Sequence, residues 1–168
     1  MPNPVKDKFL AELKRQTGSI VKLPKSNSLF EVGQGAARIY IRYSKVHDRG
    51  QTFFGLRRDD LRQLEGHPSF VVFLWDDQAL PLFLPFGAYE EVLRAVEPAS
   101  DGQYKAQIYL GTDSVELYLA RLGRFNLEGL FGWSLGSSRE SLRHRLQVLS
   151  YEIRSYAACE RRVECVYR

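Results

Sequence analysis

The chain has 168 residues, with 24 Lys and Arg against 20 Asp and Glu, a net charge of +4 and a hydrophobic share of 44%. This composition is typical of a packed globular protein rather than a disordered tail, and the length suits one domain. The longest apolar run, 69–75, has the length of a strand and falls short of the roughly 18 residues that span a bilayer. Residues 1–8 lack the apolar core of a secretory signal. We therefore expect a soluble, cytoplasmic protein that does not enter a membrane.

Hydrophobic periodicity predicts a series of helices and strands along most of the chain. Residues 5–16 place their apolar side chains on one face, as in an amphipathic helix. Shorter helices are predicted at 59–65 and 89–96, each ending near a Gly or a Pro. The predicted strands are 19–24, 28–32, 37–44, 51–56, 68–75, 79–86, 103–110 and 114–120. The stretch 121–136 is rich in Gly and aromatic residues and receives no assignment.

These elements predict a mixed α/β (α+β) fold, in which a central mixed β-sheet is flanked by helices. We expect residues 1–136 to form a single globular domain. Residues 137–168 begin with a Ser-x-x-Glu capping box and predict a long C-terminal helix. Its apolar stripe covers about two heptads, which is short of the three or four that indicate a coiled coil. The helix therefore either packs on the domain or serves in dimerisation, and both alternatives stay open.

A cluster of cations lies between residues 38 and 62, interleaved with aromatic side chains. Arg forms forked hydrogen bonds with phosphate and Tyr can stack on a base, so the mixture is typical of a nucleic-acid surface. The alternative, without a binding role, is a solvated sheet face on a mildly basic protein. The residues predicted to bind nucleic acid are Arg38, Tyr40, Arg42, Lys45, Arg49, Arg57 and Arg58.

The residues that could carry catalysis do not form a convincing set. Residues 132–136 match Gly-x-Ser-x-Gly around Ser134, but no Asp follows, and the one later histidine, His144, lies on the predicted last helix. A metal-dependent nuclease needs converging carboxylates; Glu31 lies on a strand, and Asp76 and Asp77 lie in a turn. We therefore predict no catalytic residue, no metal site and no cofactor.

Five segments carry a resemblance to a known group of proteins. They are 37–47, 54–61, 84–92, 102–105 and 123–126. Together they make residues 29–133 resemble bacterial proteins linked to restriction and DNA defence, in which such a region is an N-terminal module ahead of a separate nuclease part. The order helix, three strands, helix, strand is also similar to the PD-(D/E)XK nuclease core. Where such nucleases carry Glu-x-Lys, this chain has Arg42-Tyr43-Ser44, which implies a restriction-endonuclease-like core with a degenerate catalytic motif.

The sequence thus predicts a domain that binds nucleic acid, either DNA or RNA with DNA favoured. It would be an accessory or recognition module of a restriction or defence system, without catalysis of its own. Three alternatives stay open: a divergent Mg²⁺-dependent nuclease that uses Glu31 with Asp76 or Asp77, an esterase that uses Ser134, and a non-enzymatic scaffold. The scaffold would dimerise or bind a partner protein through the C-terminal helix.

Overall fold

A computed structural model describes residues 3–120 and 123–133 of the chain. The helices of this part are α1 (Pro4–Thr17), α2 (Arg58–Arg62) and α3 (Phe86–Arg94), and a 3₁₀ turn covers Glu128–Leu130. The strands are β1 (Ile20–Lys22), β2 (Leu29–Val32), β3 (Ala37–Tyr43), β4 (Gln51–Arg57), β5 (Ser69–Leu74), β6 (Leu82–Pro85), β7 (Gln103–Leu110), β8 (Val115–Leu119) and β9 (Gly123–Asn126). They form two separate sheets.

Sheet 1 has five strands in the order β1-β2-β3-β5-β6. All its neighbouring strands are antiparallel except β3 and β5, which run parallel to each other. Every residue of β5 and of β6 is buried. A strand that is buried on both faces has a continuous apolar sequence, which is what Ser69–Leu74 and Leu82–Pro85 show.

Sheet 2 has four strands in the order β4-β7-β8-β9, and all of its neighbouring pairs are antiparallel. Its strands alternate between buried and more exposed residues. In β4, Thr52, Phe54 and Leu56 are buried, whereas Phe53 and Arg57 are exposed. Such alternation places one face of the sheet on the core and leaves the other face to solvent.

The described residues therefore form three layers. One core cluster joins Tyr40 and Phe73 of sheet 1 to Phe54, Ile108 and other inward residues of sheet 2. A second cluster joins α1 to the opposite face of sheet 1. Sheet 1 thus lies between α1 and sheet 2.

Helix α1 has clear local signals at both ends. The Asn3 side chain accepts hydrogen bonds from the backbone N–H groups of Val5 and Lys6. At the other end Gly18 has a φ of +77°, and its N–H donates to the carbonyl of Lys14 at 2.9 Å. A left-handed residue in this position is typical of a helix C-terminus, and Gly adopts it without strain.

The predicted mixed α/β class and the central mixed sheet are confirmed. Sheet 2 was not predicted as a separate sheet, because strand patterns in a sequence do not reveal which strands pair. The unassigned stretch contains β9 and the 3₁₀ turn, and α2 is shorter than the predicted helix 59–65. The predicted helix 137–168, and the predicted domain boundary before it, lie outside the described residues.

Candidate nucleic-acid interface

The predicted nucleic-acid residues separate into two sets. Arg38, Tyr40 and Arg42 alternate with buried apolar residues on β3 and face sheet 2, so they lie at the junction of the two sheets. Lys45, Arg49, Arg57 and Arg58 are all exposed. The structure therefore does not bring the seven residues together on one surface.

Arg38 forms contacts within the domain. Its guanidinium donates to the backbone carbonyl of Gln63, just after α2, at 2.6 Å. Its Nε lies 3.7 Å from the Glu31 carboxylate. The same Nε is buried and, among the described residues, finds no hydrogen-bond partner. Because a carboxylate balances its charge and a carbonyl fixes its position, Arg38 offers little to a phosphate.

Tyr40, predicted as a stacking surface, lies buried between the two sheets. The side chain is fully buried, and its hydroxyl accepts a hydrogen bond from the backbone N–H of Arg57 at 3.1 Å. Burial raises the pKa of this hydroxyl, while the Arg57 N–H and the Arg42 charge act in the opposite direction. Tyr40 thus connects β3 to the end of β4, and a base has no access to its ring. The sequence did not indicate this burial, because sheet 2 covers the face of β3 that a single-sheet fold would expose.

Arg42 belongs to a basic corner that the sequence did not predict, formed with Lys6 and Lys22 around Asn27. The Arg42 guanidinium lies 5.7 Å from the centre of the Tyr40 ring. Lys6 Nζ donates to the backbone carbonyl of Asn27 at 2.7 Å, and Lys22 Nζ donates to its side-chain oxygen at 2.5 Å. Burial, followed by the charges of Lys22 and Arg42, lowers the pKa of Lys6. Residues this far apart in sequence give no local signal of such a cluster.

The exposed cations lie around sheet 2. Lys45 and Arg49 belong to the loop that joins β3 to β4, and the His47 ring of this loop meets the edge of the Phe53 ring at 5.3 Å. A tight turn at Gly50, with a φ of +67°, holds the loop against β7. A Cβ at this position would lie 2.7 Å from the backbone oxygen of Leu110. Arg57 lies at the far end of β4, about 20 Å away along a seven-residue strand.

The outer face of sheet 2 carries polar and aromatic side chains on all four strands. They point away from the core because they alternate with the buried residues of the same strands. The outward side chains are Gln51, Phe53, Arg57, Gln103, Lys105, Gln107, Tyr109, Glu116, Tyr118, Arg124 and Asn126. Three of these are cations and one is an acid. None of the three described helices packs on this face.

Strand register arranges this face in rows. Phe53 pairs with Gln107, Gln107 with Tyr118, and Tyr118 with Arg124, so these four side chains cross the sheet in one line. Phe53 is 46% exposed, which is unusual for a Phe on a packed sheet. The sequence predicts β7 and β8, but none of their outward residues was selected as a candidate site residue. Their alternation with Ala106, Ile108 and Leu117 was the signal that could have found them.

Arg124 is held in place on the outer face of sheet 2. Its guanidinium lies 4.5 Å from the centre of the Tyr109 ring and 3.0 Å from the Glu116 carboxylate. The Tyr109 hydroxyl donates to the Gln107 side-chain oxygen at 2.8 Å. Tyr109 is therefore already engaged on one side, and its ring also meets the Tyr118 ring at a centroid distance of 6.4 Å. Phe53 and Tyr118 flank Gln107 in the neighbouring row.

A groove of about 480 Å³ between α2 and α3 is lined by charges of both signs. Arg94 contacts Glu65 at 3.4 Å and Glu90 at 2.6 Å across it. Arg58 and Arg62 line the same groove, together with Glu97. Because the cations and carboxylates balance within the groove, it has no preference for an anionic ligand.

The carboxylates considered for a nuclease do not converge. Glu31 is in register with Arg38, and Arg38 with Ser69, whereas Asp76 follows the opposite end of β5. Seven residues of extended chain correspond to about 23 Å. Asp76 instead accepts a hydrogen bond from the Tyr43 hydroxyl, which raises the pKa of Tyr43.

Two further observations concern the remaining alternatives. No group of three or more His, Cys, Asp or Glu side chains suited to a metal ion occurs within residues 3–120 and 123–133. Ser134 and His144, the pair considered for an esterase, lie outside the described residues.

The chain matches no protein-family model, and no curated protein is significantly similar to it. Within the part of the chain that the structure describes, no helix is long and apolar enough to cross a membrane.

Proposed function

We propose that this chain is a nucleic-acid-binding domain without catalysis of its own. The observation that carries the proposal is the surface made by the outer face of sheet 2 and the loop 44–50. Exposed cations of this surface lie at both ends of β4, with Phe53 between them. Cations that flank aromatic and amide side chains on a rigid sheet suit a polyanion that also carries bases.

A role in a restriction or DNA-defence system is part of the same proposal. Support comes from the order of elements, in which α1 precedes β1, β2 and β3, and α2 precedes β5, the strand parallel to β3. This order is similar to that of the PD-(D/E)XK core. A difference is that a second sheet covers one face of sheet 1, and the helix before β5 has only five residues. The domain would recognise DNA for a nuclease that acts elsewhere in the system.

A binding role without cleavage is supported by the surroundings of Glu31. Its carboxylate faces Arg38, and the strand that would supply Glu-x-Lys carries Arg42, Tyr43 and Ser44 instead. We expect no cleavage of plasmid DNA or RNA with Mg²⁺ or Mn²⁺. Metal-dependent cleavage by the wild type that disappears in Glu31→Gln would overturn this part of the proposal.

The binding itself is tested by the salt dependence of affinity for labelled oligonucleotides, measured by fluorescence anisotropy. Each phosphate contact contributes about 0.7 to 0.9 to the slope of log affinity against log salt. The variant Arg49→Gln with Arg57→Gln removes one exposed cation from each end of β4, so it should lower the slope by about 1.5 and weaken binding at low salt.

A matched control removes the same charge from the opposite side of the molecule. Lys8 and Lys14 are exposed on α1, which packs on the far face of sheet 1. The variant Lys8→Gln with Lys14→Gln should keep the wild-type slope. Equal losses in both double variants would mean that only net charge matters, and an unchanged slope in the arginine variant would refute the interface.

A further inference from the structure

The outer face of sheet 2 combines two features that binding to the phosphate backbone alone does not require. The Phe53 side chain is 46% exposed, although water would solvate a polar side chain better at this position. Gln107 lies between Phe53 and Tyr118, and amide groups of this kind form hydrogen bonds with base edges. Exposed aromatic rings and amides in alternation are typical of surfaces that contact unpaired bases.

The shape of the face excludes a duplex groove as its binding site. Four strands at spacings of about 4.8 Å make a backbone surface about 14 Å wide before side chains are added. The major groove of B-DNA is about 12 Å wide and admits a helix or a two-stranded ribbon. A four-stranded sheet therefore lies against a duplex from outside, where the faces of the bases are hidden in the stack.

The spacing of the aromatic rings also favours a single strand. Phe53 and Tyr118 lie in one row on β4 and β8, two inter-strand spacings or about 10 Å apart. Neighbouring bases in a duplex are about 3.4 Å apart along each strand. Bases that stack on these two rings have to separate from each other, which an unpaired strand allows and a duplex does not.

The charges around the rings complete the arrangement. Arg57 is exposed on the edge strand β4, whereas Arg124 on the other edge strand is paired with Glu116 and Lys105 on β7 is paired with Asp101. The contacts of Arg124 with Tyr109 and Glu116 fix its guanidinium at one margin of the face. Aromatic rings in the middle and the exposed Arg57 on the β4 edge match a strand whose bases point to the protein and whose phosphates pass along that edge.

We propose that the outer face of sheet 2 binds a single-stranded segment of nucleic acid, with bases stacked on Phe53 and Tyr118 and with Gln107 between them. This inference rests on the proposed function and names its ligand as an unpaired strand. The buried residues Thr52, Ile108 and Leu117 fix the backbone beneath the face, so the rings are held in place before the ligand arrives.

The test compares a 12-nucleotide dT strand, a 12-nucleotide U strand and a hairpin duplex, each fluorescently labelled, with the full chain. We expect both single strands to bind more tightly than the duplex at physiological salt. Phe53→Leu keeps an apolar side chain but removes the ring, and it should weaken single-strand binding about 5- to 150-fold. Tyr118→Leu should have an effect in the same range, whereas Tyr118→Phe keeps the ring and should bind as the wild type does.

A second variant tests the face without removing a ring. Gln107→Glu is nearly isosteric, keeps the acceptor for the Tyr109 hydroxyl and adds a negative charge between the two rings. It should weaken single-strand binding at least 5-fold without a change in the melting temperature. Val21→Ala is the control, since Val21 is 59% exposed on β1 and lies away from this face.

The possible outcomes separate this inference from the proposed function. Salt-dependent binding of every oligonucleotide that is unaffected by Phe53→Leu, Tyr118→Leu and Gln107→Glu would overturn the inference and leave nucleic-acid binding in place. Binding of the duplex alone would do the same. No binding of any oligonucleotide at low salt would overturn both, and a protein partner would then be the alternative for this face. A difference between the dT and U strands identifies which single strand is preferred.

Discussion

The two sheets bury their side chains in opposite ways. Sheet 1 is covered on both faces, by α1 and by sheet 2, and the side chains of β5 and β6 are all buried. Sheet 2 is covered on its inner face, and its outer face carries aromatic, amide and charged groups that the packing does not require. Under the proposed function, sheet 1 provides stability and the outer face of sheet 2 provides recognition, because a residue that the core does not constrain is available for a ligand.

Two phenylalanines, one on each sheet, test whether the two sheets differ in this way. Phe73 on β5 is fully buried and meets the Phe54 ring at a centroid distance of 4.7 Å, whereas Phe53 on β4 is 46% exposed. Phe73→Ala removes a buried ring and leaves a cavity, so it should lower the free energy of unfolding by about 3–5 kcal/mol. Phe53→Ala should lower it by only about 1 kcal/mol, because about half of the ring is already exposed.

Urea unfolding of the two variants and the wild type measures this difference. The comparison would be refuted if Phe53→Ala cost as much stability as Phe73→Ala. A large loss at Phe53 would mean that the outer face of sheet 2 belongs to the core.

Two arginines, one on each sheet, test whether charged residues differ between the sheets in the same way. Arg38 donates to the Gln63 carbonyl and faces Glu31 on sheet 1, whereas Arg57 is exposed on the outer face of sheet 2. Arg38→Met should lower the free energy of unfolding by about 2 kcal/mol, because a charge-assisted hydrogen bond is lost. It should leave the salt dependence of oligonucleotide binding unchanged.

Arg57→Met is expected to do the reverse. Its stability should stay within about 0.5 kcal/mol of the wild type, while the salt slope of binding should fall by about 0.7 to 0.9. Chemical unfolding and anisotropy titrations on the same two preparations measure both quantities. If Arg38→Met lowered the salt slope as well, Arg38 would belong to the interface that the sequence predicted.

The sequence indicates the strands well and their environment poorly. The alternation of Ile39, Tyr40 and Ile41 predicted β3 and its two faces, and the apolar run of Ser69–Leu74 predicted a strand buried on both sides. Which face meets solvent depends on what packs there. A residue such as Tyr40 looks exposed if β3 belongs to a single sheet and is buried once sheet 2 covers it.

For the candidate site, the sequence indicates which cations are exposed but not which strands lie next to them. Lys45, Arg49, Arg57 and Arg58 are exposed, and the composition of residues 38–62 was enough to select them. The rows of the outer face join β4 to β7 and β8, about 50 residues further along the chain. Pairing over this separation is set by tertiary packing, and a local pattern does not reveal it.

Tyr40 allows a test by pH of whether its ring is buried, with a smaller expected loss of stability than Phe73→Ala or Arg38→Met. Its buried hydroxyl accepts the Arg57 N–H, so Tyr40→Phe should lower the free energy of unfolding near pH 7 by about 1 kcal/mol. Burial raises the pKa of this hydroxyl in the folded state above its unfolded value of about 10. Above pH 10 the unfolded chain therefore loses the proton first, and the wild type loses stability that the Phe variant keeps.

The difference between the wild type and Tyr40→Phe should thus narrow as the pH rises from 9 towards 11, in urea unfolding curves measured at each pH. Tyr89→Phe is the companion variant, since burial raises the pKa of Tyr89 in the same direction. Parallel curves for the wild type and Tyr40→Phe over this range would mean that the Tyr40 hydroxyl reaches water. Sheet 2 would then not seal that face of β3, and the ring would be open to a base after all.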